Sequence, residues 1–459
     1  MTANLEALAA FLWGPGTLFL ILATGLYFTV GTRFLPFTRL GAAFKAALQD
    51  PGGGGEISGL GALCTSLAAT LGTGNIIGVA TAIAAGGPGA LFYMVVAALL
   101  GMATKYAEGY LAVQYRRRTK TGYLGGPFLY LEQGLGCPWL ARIFAGACVL
   151  CCVLSMGTTS QMNGMVLAVT HFADPAGTAP LWRIGPLTLS LPAVVAGIAT
   201  TLLVGLVLAG GIRRIARIST LLVPVMAGLY TGLILWLLIQ NVHQILPVTR
   251  LILGSAFCPR AVLGGAAGYT VQQAMRYGLG RGIFSNEAGM GSDPIAAASA
   301  RTDHPARQGL ISMLGPFLDT VVMCTLTGYA VLVTDAWCTP GLAGAQITLY
   351  ALTTLPLPPR LISFFYMLCL LFFGFSSIIG WSFYGQQSLH YLLPHRPKAQ
   401  GLFRGVFLLC LLAGAFLSPS AVWALADILC ALMLLPNLAG VLLLSPRVFR
   451  GTKNYFTHQ

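Results

Sequence analysis

Long apolar runs dominate the chain, and charged positions are confined to short clusters between them. Residues 57–104 contain no Asp, Glu, Lys or Arg, and 143–173, 184–212 and 218–249 are equally free of charge. An α-helix needs about 20 apolar residues to cross the hydrocarbon core of a bilayer. The runs are long and lack strict apolar–polar alternation, so they predict membrane-spanning helices and argue against an outer-membrane β-barrel.

Gly, Pro and charge clusters divide these runs into eleven predicted membrane helices. The spans lie near 11–31, 57–85, 90–113, 138–168, 187–210, 217–241, 266–300, 308–334, 360–392, 401–418 and 420–445. The start, MTANLEALAAFLWG, has no basic segment before its apolar run, so we expect no cleavable signal peptide. The predicted fold class is an all-α polytopic membrane protein.

Composition agrees with this class and excludes others. Of 459 residues, 56% are hydrophobic and only 8% are charged, against about 25% in a soluble domain. A soluble multidomain enzyme and a disordered chain are both excluded.

The net charge of +14 is mainly a topology signal. Eighteen of the 26 Lys and Arg residues fall in the loops after predicted spans 1, 3, 5, 7 and 9 or in the C-terminal tail, and four fall on the opposite side. The positive-inside rule then predicts an outside N-terminus and a cytoplasmic C-terminus in the cell membrane, which is the inner membrane in a cell with two. We expect the lipid bilayer, and no nucleic acid, as the partner of this charge.

Two predicted spans are interrupted by glycine and polar residues. The first break is Gly72-Thr73-Gly74-Asn75 and the second runs from Gly282 to Pro294. Each break is followed by one span and then a short amphipathic segment, 123–136 or 341–355. Ser292-Asp293-Pro294 predicts an N-cap and the start of a new half-helix.

The matched breaks predict two five-helix repeats, and an odd helix number requires the second copy to insert upside down. The repeats cover 56–241 and 261–445, preceded by an N-terminal helix and loop at 1–55 and followed by a cytoplasmic tail at 446–459. Inverted repeats with broken helices are typical of secondary transporters.

These residues resemble the alanine or glycine:cation symporter family, also named sodium:alanine symporters. The similarity is strongest around Gly282–Ala298 and extends through Gly72–Thr81, Gly101–Glu108 and Ser376–Ser382. The resemblance implies a LeuT-type five-plus-five fold and sodium-driven uptake of alanine or glycine. The chain departs from the family pattern in having Ser376-Ser377 where two threonines are usual, and Asp293 where an apolar residue is usual.

A free amino acid presents a carboxylate, which main-chain N–H groups at a helix break can bind without a buried cation. We therefore expect Gly72, Thr73, Gly74 and Asn75 to bind the substrate, with Gly289 and Met290 lining the second half of the site. The family pattern adds Gln161, Asn163 and Trp381, although a polar or aromatic residue in a membrane helix is often explained by packing alone. The predicted substrate site also includes Phe284, Ser285, Asn286 and Ser377.

The coupling ion is expected to be sodium, bound by hard oxygen ligands. By resemblance, the hydroxyls of Ser376 and Ser377 join the carbonyl groups of Ala68, Leu71 and Phe373, and a second sodium lies near Thr70, Asn75 and Ser285. The alternative for the serines is hydrogen bonding to carbonyl groups four residues earlier. Glu287 and Asp319 either take part in sodium or proton binding or only cap and pair with neighbouring groups. Lys105 can pair with Glu108 on one helix face.

Three other functions remain open from the sequence: a proton-coupled amino-acid transporter, a channel and an intramembrane enzyme. No HExxH, GxSxG or P-loop motif occurs, and we expect no cofactor besides the coupling ion and no obligate protein partner.

Eleven cysteines are present, and most lie within predicted spans. Cys258 and Cys338 fall in predicted outside loops, where a disulfide between them is an open alternative. The sequence does not distinguish alanine from glycine, the D from the L isomer, or sodium from a proton, and it leaves stoichiometry and oligomeric state open.

Overall fold

A computed structural model of the chain describes residues 2–49, 52–119, 122–175, 182–184, 187–257, 271–417 and 419–457. The first half contains these helices: α1 Thr2–Leu12, α2 Pro15–Gly31, α3 Leu35–Thr38, α4 Leu40–Leu48, α5 Gly59–Thr70, α6 Ile77–Gly86, α7 Gly89–Gln114, α8 Pro127–Leu129, α9 Pro138–Leu154, α10 Thr159–Ala173, α11 Leu191–Leu208 and α12 Gly211–Gln240. The second half contains α13 Val242–Phe257, α14 Val271–Asn286, α15 Asp293–Ala297, α16 Pro305–Ser312, α17 Leu314–Pro316, α18 Thr325–Val333, α19 Ala345–Thr353, α20 Pro359–Leu392, α21 Pro397–Gly414, α22 Pro419–Leu443 and α23 Ser445–Thr457.

Shorter elements join these helices. Thr73–Asn75 and Ala336–Cys338 form 3₁₀ turns, and Tyr130–Gly134 and Phe317–Cys324 form π-helical segments. Two antiparallel ribbons lie in connecting loops: β1 Arg117–Thr119 with β2 Gly122–Leu124, and β3 Trp182–Ile184 with β4 Leu187–Leu189.

The all-α membrane fold class is confirmed. Among the described residues, eight helices are long and apolar enough to span a membrane, and α5 with α6 adds a ninth span that is bent by 63°. The predicted spans near 266–300 and 401–418 correspond to α14 with α15 and to α21, which do not meet that test. The total of eleven therefore stays a prediction.

Helix α7 forms the centre of the core. Every residue from Gly101 to Val113 is buried, and α14 and α16 pack along it. A Cβ added at Gly309 of α16 would lie 2.8 Å from the carbonyl oxygen of Tyr106, so glycine is what allows these two helices to approach.

Large apolar side chains are exposed along α11 and α12. Leu202, Leu206, Leu221 and Ile239 are each between 65% and 73% exposed. Such side chains are favourable against lipid tails and unfavourable as large patches in water. The chain is a multi-pass membrane protein.

Both predicted amphipathic segments contain short helical structure. Residues 123–136 hold α8 and the first π-helical segment, and residues 341–355 hold α19. Of the two cysteines considered for a disulfide, Cys338 is an exposed free thiol, and Cys258 lies outside the described residues. The start of the second predicted repeat at residue 261 also lies outside them.

Candidate functional site

The first break lies between α5 and α6. Leu71 and Gly72 leave helical geometry, and the 3₁₀ turn at Thr73–Asn75 carries the chain into α6. A Cβ added at Gly72 would lie 2.7 Å from Ser377 Oγ and 3.0 Å from Gln161 Oε1. Glycine is required here because a side chain would push apart three helices that meet at the break.

Protein groups already bind two of the N–H donors predicted for a substrate carboxylate. The Gly72 N–H donates to Asn75 Oδ1 at 3.0 Å. Gln161 Oε1 accepts from both the N–H and the hydroxyl of Thr73, at 3.2 and 3.1 Å. Gly74 differs, because nothing lies within 4 Å of the place where its Cβ would project.

A cavity of about 770 Å³ reaches the first break. Its walls include Thr73 and Asn163 from the predicted site, together with Arg281 of α14. Asn163 Nδ2 donates to the carbonyl oxygen of Leu417 at 3.0 Å. The remaining walls come from α6, from the length of α10 and the residues after it through Pro175, from residues 343–349, and from Ser363 and Tyr366 of α20.

Arg281 supplies positive charge at the cavity wall. Its guanidinium lies 5.6 Å from the centroid of the Phe284 ring, within the range of a cation–π contact. Phe284 itself is 6% exposed, so this predicted residue lies directly behind the wall.

Asp319 gathers residues from both breaks. Its Oδ1 accepts from Asn75 Nδ2 at 2.7 Å, and its Oδ2 accepts from the hydroxyls of Ser285 at 2.9 Å and Thr320 at 2.6 Å. All four side chains are buried. The carboxylate and the two hydroxyl oxygens are hard ligands suited to a small cation, whereas Asn75 presents its NH2 group and orients the carboxylate as a donor.

The local sequence explains the position of Asp319. Pro316 lacks an N–H donor and so interrupts the helical hydrogen bonding. The following residues, Phe317–Cys324, form a π-helical segment, a widening that often occurs at functional sites. Asn286, also predicted in the site, donates from Nδ2 to the Thr320 hydroxyl at 3.3 Å.

The second break is held by polar groups of the surrounding helices. Glu287, Gly289 and Gly291 all have positive φ, at 55°, 87° and 78°. Trp381 Nε1 donates to Glu287 Oε1 at 3.1 Å, and Ser292 donates its hydroxyl to Glu287 Oε2. Trp381 is fully buried in this position and is not part of the cavity wall.

Ser292 corrects one expectation. Helix α15 does begin at Asp293 with an early proline, as predicted, but Ser292 has helical φ and ψ and makes no capping hydrogen bond. Its hydroxyl donates to Glu287 instead. A buried carboxylate without hydrogen-bond donors costs more free energy than a missing cap on the five-residue α15.

Gly289 and Met290 also lie away from the cavity wall. A Cβ on Gly289 would lie 2.9 Å from a methyl carbon of Leu438, and the Gly289 carbonyl oxygen accepts from Asn437 Nδ2 at 2.8 Å. Met290 is fully buried. Both residues pack towards the interior around the second break.

The serine pair contacts carbonyl oxygens of both its own helix and the first break. Ser376 donates to the carbonyl of Phe373 at 2.9 Å, whereas Ser377 donates to the carbonyl of Leu71 at 3.4 Å. Ala68 is fully buried on α5, and Thr70 donates to the carbonyl of Ser66 at 3.2 Å. Four of the five oxygen-bearing residues predicted for the first sodium thus lie in direct contact as two pairs.

The expected pairing of Lys105 with Glu108 is wrong. Lys105 Nζ lies 3.9 Å from Asp293 Oδ2, and Glu108 Oε1 accepts from Asn437 Nδ2 at 2.5 Å and from the Gly291 N–H at 3.2 Å. The second break brings Asp293 next to α7, where its carboxylate approaches Lys105, while Glu108 accepts hydrogen bonds from an amide and a main-chain N–H.

Sequence reasoning missed Asn437. It bonds to Glu108, to Gly289 and to the hydroxyl of Tyr130, so it holds the second break against α7. The available signal was a single amide within the mostly apolar run 425–443, where a polar side chain is costly unless it has a partner.

Comparison with known proteins places this geometry in a family. The family model for the sodium:alanine symporter family matches residues 1–459. A transporter of Haemophilus influenzae described as uncharacterized is 46% identical over 98% of this chain and 95% of its own length. The sodium/alanine symporter AgcS of Methanococcus maripaludis is 40% identical over 97% of this chain and 95% of its own length.

The fold agrees with a solved transporter. The crystal structure of MhsT in complex with L-phenylalanine matches with a TM-score of 0.60 and 14% identity, covering 86% of this chain and 90% of that one. At that identity the likeness shows the fold alone, which is the LeuT-type fold that the family resemblance implied. The family match, the fold and the two broken helices together show that the chain is a secondary transporter rather than an enzyme, and that it belongs to the sodium:alanine symporter family.

Proposed function

We propose that the protein carries a small neutral amino acid, alanine or glycine, across the membrane together with sodium by alternating access. One observation carries the proposal: the cavity ends at the first break, and immediately behind that break Asn75 bonds to Asp319. Substrate and cation sites that share one helix break give a direct physical route to coupling. The relative AgcS is named as a sodium/alanine symporter, which supports the same assignment.

The substrate binds where the cavity reaches Thr73, next to Gly74. The open space at this glycine lets a carboxylate approach the main chain. Gln161 keeps Thr73 in place through two hydrogen bonds, so the break is rigid before the substrate arrives. Ser377 and Gln161 pack closely against Gly72, so the break leaves little room for a long substrate side chain beside it, which favours alanine or glycine.

The first sodium binds beside Ser377. The ligands are the hydroxyls of Ser376 and Ser377 and the carbonyl groups of Leu71, Phe373 and Ala68. Hard cations prefer such oxygen ligands. Because Leu71 is the last residue before the first break, an ion here favours the arrangement in which α5 lies against α20.

The second cation binds at Asp319, with Asn75 and Ser285 as partners and Thr70 nearby on α5. A formal carboxylate compensates a buried monovalent charge more fully than neutral oxygens do. The same carboxylate is the observation that favours a second candidate, proton coupling, in which Asp319 carries the transported proton.

The proposed orientation follows the basic residues. An outside N-terminus and a cytoplasmic C-terminus make the cavity side, with Pro175 and residues 343–346, extracellular. The structure then corresponds to an outward-facing state, closed on the side of β1 and β2.

Equilibrium binding tests this function. Purified protein should bind labelled alanine and glycine in sodium chloride and lose that binding in potassium or choline chloride at constant pH. Gly74→Leu should abolish binding while leaving the protein monodisperse, because its side chain fills the open space. Binding that is equal in all three salts but varies with pH would favour the proton-coupled alternative.

A further inference from the structure

Arg116 joins the two broken helices at the closed side of the protein. It follows α7, and its guanidinium donates four hydrogen bonds, all to main-chain carbonyl oxygens. Nη1 bonds to Ala300 at 2.6 Å and Ala298 at 3.1 Å. Nη2 bonds to Gly54 at 2.6 Å and Thr302 at 3.3 Å. Gly54 precedes α5, and the other three residues follow α15.

These two chain segments also bond directly to each other. The N–H of Glu56 donates to the carbonyl of Ser299 at 2.8 Å, and the N–H of Arg301 donates to the carbonyl of Ile57 at 2.7 Å. Arg116 therefore lies across a short bridged pair of segments, with Gly54 opposite Thr302 and Ile57 beside Ala300.

The glycine run before α5 is needed for this contact. Gly53 and Gly55 have φ of 89° and 152°. A Cβ on Gly53 would lie 2.9 Å from the Thr302 carbonyl oxygen, and one on Gly55 would overlap the main chain at Ala300. The sequence thus lets the backbone before α5 lie flat against the segment after α15.

A ribbon supports Arg116 from one side. The guanidinium lies 4.7 Å from the centroid of the Tyr123 ring on β2. The Tyr123 N–H donates to Glu56 Oε1 at 2.7 Å. Arginine suits this position because its planar fork reaches several carbonyl groups while its face stacks on an aromatic ring.

We propose that Arg116 is the latch that keeps this side of the transporter closed. The inference rests on the proposed alternating access, in which α5 must separate from α15 before substrate leaves on the Arg116 side. The Arg116 latch consists of Arg116 with the carbonyl groups of Gly54, Ala298, Ala300 and Thr302. Its four acceptors are neutral carbonyl groups. Opening therefore does not break an ion pair and leaves no unpaired carboxylate behind. Arg116 is a positioning residue and does not contact the substrate.

Cysteine accessibility at both ends of the molecule tests the latch. Cys64 on α5 is 4% exposed and reports separation of α5 from its neighbours. A second probe, Gly78→Cys, lines the cavity, where a Cβ meets nothing within 4 Å. Alkylation of each cysteine is followed by peptide mass spectrometry in protein reconstituted in nanodiscs.

Arg116→Ala should raise the alkylation rate of Cys64 at least about fivefold and lower that of the cysteine at position 78, as expected for a coupling between two ends. Arg116→Lys keeps the positive charge but loses the planar guanidinium with its several N–H donors, so it should change both alkylation rates by an intermediate amount. Arg118→Ala removes an exposed arginine of β1 and should match the wild type.

Opposite changes at the two probes separate a latch from a merely structural residue, because general loosening would raise both rates. Unchanged rates in both Arg116 variants, or a parallel rise at both probes, would overturn the proposal. Alanine uptake by the same variants, reconstituted in proteoliposomes, keeps the two questions apart. If the wild type takes up no alanine, the proposed substrate fails, while the probe rates still decide the latch.

Discussion

Ser377 on α20 donates a hydrogen bond to the main-chain carbonyl of Leu71, at 3.4 Å, although the two residues lie 306 positions apart. Leu71 is the C-cap residue directly after α5. The contact joins the first helix break to a helix of the second half of the chain. Ser376, the residue before Ser377, donates its hydroxyl to the main-chain carbonyl of Phe373 within α20.

The two serines should therefore differ in their effect on sodium dependence. Ser377→Ala should raise the sodium concentration for half-maximal alanine uptake about tenfold, the scale of one lost polar contact. Ser376→Ala should raise it less, because the Phe373 carbonyl stays available. Ser382→Ala is the matched control, since that buried hydroxyl also bonds within α20, to Ile379 at 2.7 Å. A double Ser376/Ser377 variant with wild-type sodium dependence would move the site elsewhere.

Asp319→Asn tests the second cation site. The substitution keeps the shape but removes the charge that faces Asn75, Ser285 and Thr320. We expect the steepness of the sodium dependence to fall and the half-maximal concentration to rise at least about tenfold, because a charged ligand contributes more than a neutral one. Thr320→Ser keeps the hydroxyl and serves as the control. Uptake with unaltered sodium and pH dependence in Asp319→Asn would limit Asp319 to a structural role.

Alanine substitutions at the two glycines of the first break should have different outcomes. Gly72→Ala places a methyl group 2.7 Å from Ser377 Oγ and 3.0 Å from Gln161 Oε1. It should lower both the melting temperature and sodium binding. Gly74→Ala meets nothing within 4 Å, so it should fold normally and weaken substrate affinity alone. Unchanged substrate affinity in Gly74→Ala would show that the space at Gly74 is not part of the site.

The sequence was informative where a polar or glycine residue interrupts an apolar run. This signal found both breaks, and the resemblance supplied Gln161, the roles of the serine pair, the fold and the substrate class. An interruption in an apolar run does not indicate which groups bond to each other across the fold. Asn437 holding the second break and Asp293 facing Lys105 depend on helices that meet only after folding.

The second break shows the same limit. Glycine and polar residues correctly marked an irregular segment, yet Gly289 and Met290 face the interior of the protein and Trp381 bonds to Glu287. Sequence periodicity cannot decide which side of an irregular segment faces a cavity, because the residues there follow neither a helical nor an extended period.

His304 should make stability depend on pH. Its Nδ1 accepts from the N–H of Ala306 at 3.1 Å and so caps α16. Partial burial lowers the pKa of His304 below its usual 6.5, although Asp303 acts in the opposite direction, and the ring stacks on Tyr455 at 4.6 Å. The folded state therefore binds fewer protons than the unfolded state, so this contribution to stability is complete above pH 6.5 and is lost as pH falls below it.

A melting series in detergent from pH 8 to pH 5 tests this effect. Wild-type protein should lose thermal stability below pH 6.5, and His304→Asn should flatten that part of the profile, because an amide oxygen caps a helix at any of these pH values. An identical slope in both proteins would assign the acid sensitivity to other groups.

Gradient-driven uptake tests the central claim most directly. Proteoliposomes containing the purified protein are loaded with potassium buffer at one pH and diluted into labelled alanine with sodium outside, with potassium outside, or with an inward proton gradient in potassium. Transient accumulation of alanine above its external concentration only with the inward sodium gradient is the predicted result. Accumulation driven by the proton gradient alone, or simple equilibration in all three conditions, would contradict sodium symport.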